Sequence, residues 1–304
     1  MSVVAGRKAN ERARATSWRV AVRRSRGWRI VRRVPFYLLV ALIFFYALFP
    51  FFWVIRSAFT PEADLFITPI RYIPTHPTLA NFRDALSSGD FQHALLNSTI
   101  VAGSVTLIAL ALGSLAAYAL GRISFRGRSV ALYLMLSMTI FPQIAILGAL
   151  YTIITRFHLY NSLKALIFSY MLLVIPLTVW VLTSFMRALP RDLEEAAYVD
   201  GATPFQTFYR VILPLVAPAL VTTGLLAFIA AWIEFLFALS FTLTPDKHTV
   251  PVAIATFQGT SSAFVYPWGE VMAATLIVTV PLIALTLILQ KRILAGLTAG
   301  AVKG

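Results

Sequence analysis

The sequence predicts an all-α membrane protein that crosses the bilayer six times and carries one helix–turn–helix on a cytoplasmic loop. Three observations predict it. The chain of 304 residues is 59% hydrophobic and only 12% charged, against about 25% charged in an average soluble domain. Six stretches without formal charge, Val34–Ile55, Phe91–Gly121, Ser129–Thr155, Ala165–Met186, Val211–Ile233 and Val271–Gln290, each reach the roughly 20 residues that span a hydrocarbon core. Lysine and arginine fall unevenly between the connections, 20 on one side and 6 on the other. The rich side is the cytoplasmic one, which puts both termini, the second connection and the fourth connection in the cytoplasm.

Residues 1–33 form a basic cytoplasmic tail that carries most of the net charge of +14. Such a flank meets anionic lipid. It has neither the fold nor the base-stacking pattern of a nucleic-acid binder, and no nucleic acid is expected. The first apolar run is longer than a signal-peptide core and no small-residue cleavage site follows it, so it is expected to stay as a span. The membrane domain occupies residues 34–292, and 293–304 form a cytoplasmic tail. The first outer connection contains Pro61, Pro69, Pro74 and Pro77. It is expected to end in a short helix with Thr78 as N-cap and Leu79, Phe82 and Leu86 on one face. Internal prolines at 142, 176, 218 and 281 are expected to kink their spans. An outer loop over 244–268 is rich in Pro, Thr, Ser and Gly.

The loop over 187–214 holds "EEAAYVDGATPFQTFYRVILP". Pro190 ends the preceding span. Asp192 and Glu195 have the spacing of a capping box, Gly201 suits the left-handed residue that stops a helix, and Thr203, Pro204 and Gln206 restart one. The second short helix carries Phe205, Phe208 and Tyr209 and is expected to break at Pro214. Ala196 and Ala197 allow close approach, and the aromatics offer an anchor. These features suit either a docking partner or packing on the chain's own membrane domain.

The same residues resemble the E-A-A loop of permease subunits in binding-protein-dependent ABC importers, whose pattern is E-A-A-x3-G-x9-I-x-L-P. Glu195, Ala196, Ala197, Gly201, Leu213 and Pro214 match, Asp200 also fits, and Val211 stands where isoleucine is usual. The six spans, the long first outer loop and the C-terminal GLTAGAVKG extend the likeness to the MalG-like maltose/trehalose permeases. The resemblance implies that Glu195, Ala196, Ala197, Asp200, Gly201, Leu213 and Pro214 form a surface coupled to an ATPase. It implies as partners a second homologous permease, two cytoplasmic ATPase subunits, an external sugar-binding protein or lipoprotein, and a sugar such as trehalose or maltose. It also implies that the 244–268 loop, with Pro251, Gln258 and Gly259, contacts the binding protein.

No phosphate loop of the G-x-x-x-x-G-K-[ST] type is present in the sequence, so no cofactor is expected in this chain, and ATP and Mg are expected in the partner ATPase. Glu234 is an ionisable group deep in the fifth apolar stretch, which points to a cavity or a partner. With Gln143 and Trp232 it is a candidate for the substrate path. Neither a metal site nor a catalytic constellation is expected, since the histidines lack ligand spacing. A self-contained secondary transporter or channel is the alternative.

Overall fold

The computed structural model describes residues 33–257 and 266–301, with side chains described up to residue 289. Among them every regular element is helical. Four helices are long and apolar enough to cross a membrane, or up to six if each of two bent pairs counts as one span. The chain divides between Arg56 and Ser57 into two compact units. Nearly all of the first helix, α1 (Arg33–Ala58), falls in the first unit, and its apolar side chains are exposed along the span window.

The second unit begins with a short 3-10 turn and the helix α2 (Ala80–Ser87). The Thr78 hydroxyl accepts the Ala80 N–H at 3.0 Å, but the N-cap position itself is Leu79, one residue later than expected. Leu79 and Leu86 are exposed, and the buried face carries Asn81 and Ala85. The reason is polar: the Asn81 amide donates to the carbonyls of Ala58 and Thr60 at 2.9 and 2.8 Å, which turns this face inward.

Two long helices form the centre, α3 (Gly89–Arg122) and α6 (Leu163–Ala188). Ser88 and Ser162 cap them, accepting the N–H of Phe91 and Ala165. Small residues recur every fourth position along α3: Ala109, Gly113, Ala117 and Gly121, all buried. Within a membrane, association relies on such close backbone approach more than on hydrophobicity. At Gly113 a Cβ would stand 2.6 Å from the Thr178 Cγ2 of α6, so only glycine fits without a shift.

Between them, α4 (Arg128–Ser137) and α5 (Gln143–Arg156) replace the expected kinked third span. They meet at 99°, with Pro142 as the N-cap of α5. The proline therefore starts a new helix here. Pro176 lies within the unbroken α6.

After α6 come α7 (Asp192–Val199), α8 (Pro204–Thr207), a π turn (Phe208–Ile212), α9 (Leu213–Leu215) and α10 (Ala217–Trp232). The expected stop at Pro214 does not occur. The π turn shifts the hydrogen-bond register so that Pro214 falls in the first turn of α9, second after Leu213, where a missing N–H is tolerated. The chain instead turns at Val216, and the segments on either side differ by 77°. Pro218 sits in the first turn of α10.

Last come α11 (Leu236–Phe241), α12 (Val250–Ala255) and α13 (Trp268–Ala301). Helix α13 runs through Pro281 without a break and continues past the expected boundary at 292. The main core joins α3, α5, α6, α10, α11 and α12 around Tyr170, Phe237 and Phe241, none of which is exposed. Gly113→Leu is expected to destabilise the detergent-solubilised protein by about 1–3 kcal/mol through overpacking. Thermal unfolding measures it, and an unchanged midpoint would show that the α3–α6 seam is not tightly packed.

Candidate functional site

The helix–turn–helix insert is built by local chemistry. Helix α7 ends in Asp200, and Gly201 follows at φ +81°. The Gly201 N–H donates to the Tyr198 carbonyl at 3.0 Å and the Ala202 N–H to the Ala197 carbonyl at 2.9 Å. That is the Schellman arrangement, which a left-handed glycine permits. Helix α8 then opens with the expected capping box. The Gln206 Oε1 accepts the Thr203 N–H at 2.8 Å, and the Thr203 hydroxyl accepts the Gln206 N–H at 3.3 Å.

The expected box at the start of α7 is absent. Arg191 holds the N-cap position in a right-handed helical conformation, so the helix has begun before Asp192 can cap it. Asp192, Glu194 and Glu195 all lie in the first turn, where negative charge meets the positive end of the helix dipole.

One of these acids has a partner that the sequence reading missed. The Arg122 Nε donates to the Glu194 Oε2 at 3.0 Å, and a second guanidinium nitrogen lies 2.9 Å from the same oxygen. The remaining donors reach the carbonyls of Met186 at 3.2 Å, Leu189 at 2.8 Å and Pro190 at 3.0 Å. One guanidinium thus joins the end of α3, the end of α6 and the first turn of α7. Arg187 returns a bond to the Leu120 carbonyl at 3.0 Å. The sequence signal was slight: an arginine at the foot of a long apolar run, and one acid more than the motif needs.

The insert has two faces. Glu194 and Ala197, three residues apart, turn inward, while Glu195, Ala196, Val199, Asp200 and Gly201 are exposed. The expected pairing of Ala196 with Ala197 on one open surface is therefore corrected. Phe208 also turns inward, with its ring 5.2 Å from that of Tyr118, and Ile212 is buried with it in a cluster from α3 and α6. Phe205 stays 65% exposed and Val199 88% exposed. Leu213 is half-buried and Pro214 exposed.

The other candidates lie elsewhere. Gln143 lines a cleft of about 550 Å³ at the α4–α5 break, together with Met138, Phe141 and Ile146. Glu234 is buried in the gap between α10 and α11. Its two carboxylate oxygens accept the Phe237 N–H at 2.8 Å and the Ala238 N–H at 3.1 Å, so it caps α11 from within the core. Trp232 is half-buried and stacks on Phe228 at 5.5 Å. Pro251 is half-buried in the first turn of α12. Gln258 and Gly259 lie outside the described residues. Among the described residues no group of three metal-ligating side chains occurs.

The segment between α11 and α12 is clamped by polar side chains. The Asn97 side chain donates to the carbonyls of Asp246 and His248 at 2.8 and 2.9 Å, and the Ser98 hydroxyl accepts the Val250 N–H at 2.8 Å. The Asn161 Oδ1 accepts the N–H of Leu243 and Thr244. Burial pushes the His248 imidazole below its ordinary range, against the opposing pull of Asp90 and Asp246.

Residues 109–298 match the family described as the binding-protein-dependent transport system inner membrane component. The chain belongs to that family. The permease is 43% identical over 277 residues to the trehalose/maltose transport system permease protein MalG of Thermococcus litoralis, covering 90% of this chain and 98% of that one. It is 41% identical to the trehalose transport system permease protein SugB of Mycobacterium tuberculosis, covering 90% and 99%. It is 40% identical to the sulfoquinovosyl glycerol transport system permease protein SmoH of Agrobacterium fabrum, covering 84% and 89%. A crystal structure of a bacterial ABC transporter involved in alginate import shares its fold at a TM-score of 0.72 and 19% identity, over 86% of this chain and 96% of that one. The permease is thus the membrane component of an ABC importer and not its ATP-hydrolysing subunit.

Removing the Glu234 carboxylate leaves two buried N–H groups of α11 without partners. Glu234→Ala is expected to lower stability by roughly 2–4 kcal/mol, and Glu234→Gln by less, because an amide oxygen still accepts. Thermal unfolding in detergent separates the two. Unchanged stability of the alanine variant with lost uptake would instead place Glu234 on the substrate path.

Proposed function

We propose that the permease moves a sugar, an α-linked disaccharide such as trehalose or maltose, from an external binding protein into the cytoplasm. In this reading a second homologous permease completes the pathway. Two separate cytoplasmic ATPase subunits, holding ATP and Mg, supply the energy. Closure of the ATPase dimer on ATP shifts the docked insert, the membrane helices open outward, and hydrolysis resets them. In this reading the insert and both termini face the cytoplasm, which the charge asymmetry supports.

The observation that carries this reading is the division of α7 into two faces. Glu194 and Ala197 serve the chain's own fold, which leaves Glu195, Ala196, Val199 and Asp200 open beside the exposed Phe205. Exposed apolar side chains on a short, stiffly capped element mark a partner surface. The disaccharide is supported by the names of relatives at 43% and 41% identity. Within the membrane part, Gln143 keeps its assignment to the substrate path because it lines an open cleft at a helix break. Glu234 and Trp232 are assigned to holding the α10–α11 region. The 244–268 segment is assigned to the external binding protein.

Gly201→Val tests the insert. Nothing crowds a Cβ at this position, so the penalty comes from the backbone conformation alone. A left-handed residue with a side chain costs about 1–2 kcal/mol, which is roughly tenfold in the docked population. Uptake into whole cells is expected to fall by about that factor at normal expression. Normal uptake would remove the glycine turn from the mechanism. The cargo is checked separately by retention of radiolabelled trehalose or maltose on the binding protein. Retention of glycerol phosphate in their place would overturn the disaccharide assignment.

A further inference from the structure

Helix α7 is tied to the membrane helices by two routes, and they differ in character. Downstream, the path to α10 passes through Gly201, the capping box, the π turn and the bend at Val216. Each junction interrupts the regular hydrogen-bond ladder, and such interruptions are where helices bend. Upstream, the path is short, three residues between α6 and α7, and is bridged by a buried ion pair. The side chains of the Arg122–Glu194 pair are 4% and 11% exposed, and the guanidinium also holds the carbonyls of Met186, Leu189 and Pro190.

We propose that Arg122 is a positioning residue for energy coupling. Its guanidinium binds the first turn of α7 to the C-terminal ends of α3 and α6, so displacement of α7 is delivered to those two helices first. The inference rests on the proposed docking of the insert to an ATPase, and it adds the route by which the movement enters the membrane domain. Three features of the site support it. Arginine presents a planar fork of five donors, which lets one side chain hold a carboxylate and several carbonyls in a fixed relation. Glu194 lies on the inward face of α7 and leaves Glu195 free on the outward face. Above the clamp, the small-residue seam from Ala109 to Gly121 keeps α3 and α6 in close contact, so the two receive the movement together.

The test uses the complete importer in proteoliposomes with its binding protein, radiolabelled trehalose as the probe, and ATP hydrolysis measured in the same vesicles. The variants are Arg122→Ala, Arg122→Lys and Glu194→Gln. Uptake per ATP hydrolysed is the deciding readout. A residue needed only for folding lowers the amount of complex and leaves this ratio unchanged. Arg122→Ala is expected to lower the ratio roughly tenfold, the scale of a lost charge-assisted hydrogen bond. Lysine keeps the charge without the fork, and glutamine keeps an acceptor without the charge. Each is expected to lower the ratio by about threefold, less than half of that loss on a free-energy scale. An unchanged ratio in all three variants, with equal recovery of the complex, overturns the proposal and leaves the docking reading intact. Should Arg122→Ala fail to assemble, the lysine and glutamine variants decide the matter by the same ratio. A wild-type chain that brings down no ATPase removes the docking reading, and the clamp falls with it.

Discussion

Within lipid every backbone N–H and C=O must find its partner inside the protein, because no water is available to substitute. This permease interrupts its helices repeatedly, and at several of these interruptions a named side chain supplies the missing partner. Arg122 collects the last carbonyls of α6. Glu234 satisfies the first N–H groups of α11. Asn161, Asn97 and Ser98 hold the backbone between α11 and α12. Asn81 does the same for the chain after α1. These buried polar residues are therefore structural supports for interrupted helices.

Around these supports the packing follows from size. Small residues along one stripe of α3 bring α6 close, and larger aromatic residues fill the space around α11, where Phe237 stacks on Phe241 at 5.7 Å. The end beside the insert is organised differently. There the cluster of Tyr118, Phe208 and Ile212 seats the insert against α3 and α6, and the guanidinium fixes its first turn. The exposed face of α7 is what remains once these demands are met. In the proposed function that residue of surface is the meeting point with the motor.

Much of this was legible in the sequence, for reasons that differ by residue. Gly201 and the Thr203–Gln206 box were readable because helix ends are decided locally. The apolar runs were readable because lipid demands length. What could not be read depends on partners distant in sequence. The role of Glu194 is invisible in the sequence because its counter-ion stands 72 residues away, and Arg122 reads there as one more positive charge. For Glu234 an ionisable group at depth suggests a cavity or a partner, and the structure supplies partners in the N–H groups three and four residues further on. Pro142 and Pro214 show the same limit. A proline signals a disturbance of the ladder, but whether it bends a helix, starts one or is absorbed by a π turn is settled by what packs around it.

The central claim is that the outward face of α7 is covered by a cytoplasmic partner in the working importer. Because the chain contains no cysteine, a single Ala196→Cys substitution gives a clean probe. Its rate of maleimide labelling, compared between the purified permease and the assembled importer, tests the claim most directly. Labelling that is fast in the permease alone and strongly slowed in the assembly is the result this account predicts. Equal labelling in both would contradict it.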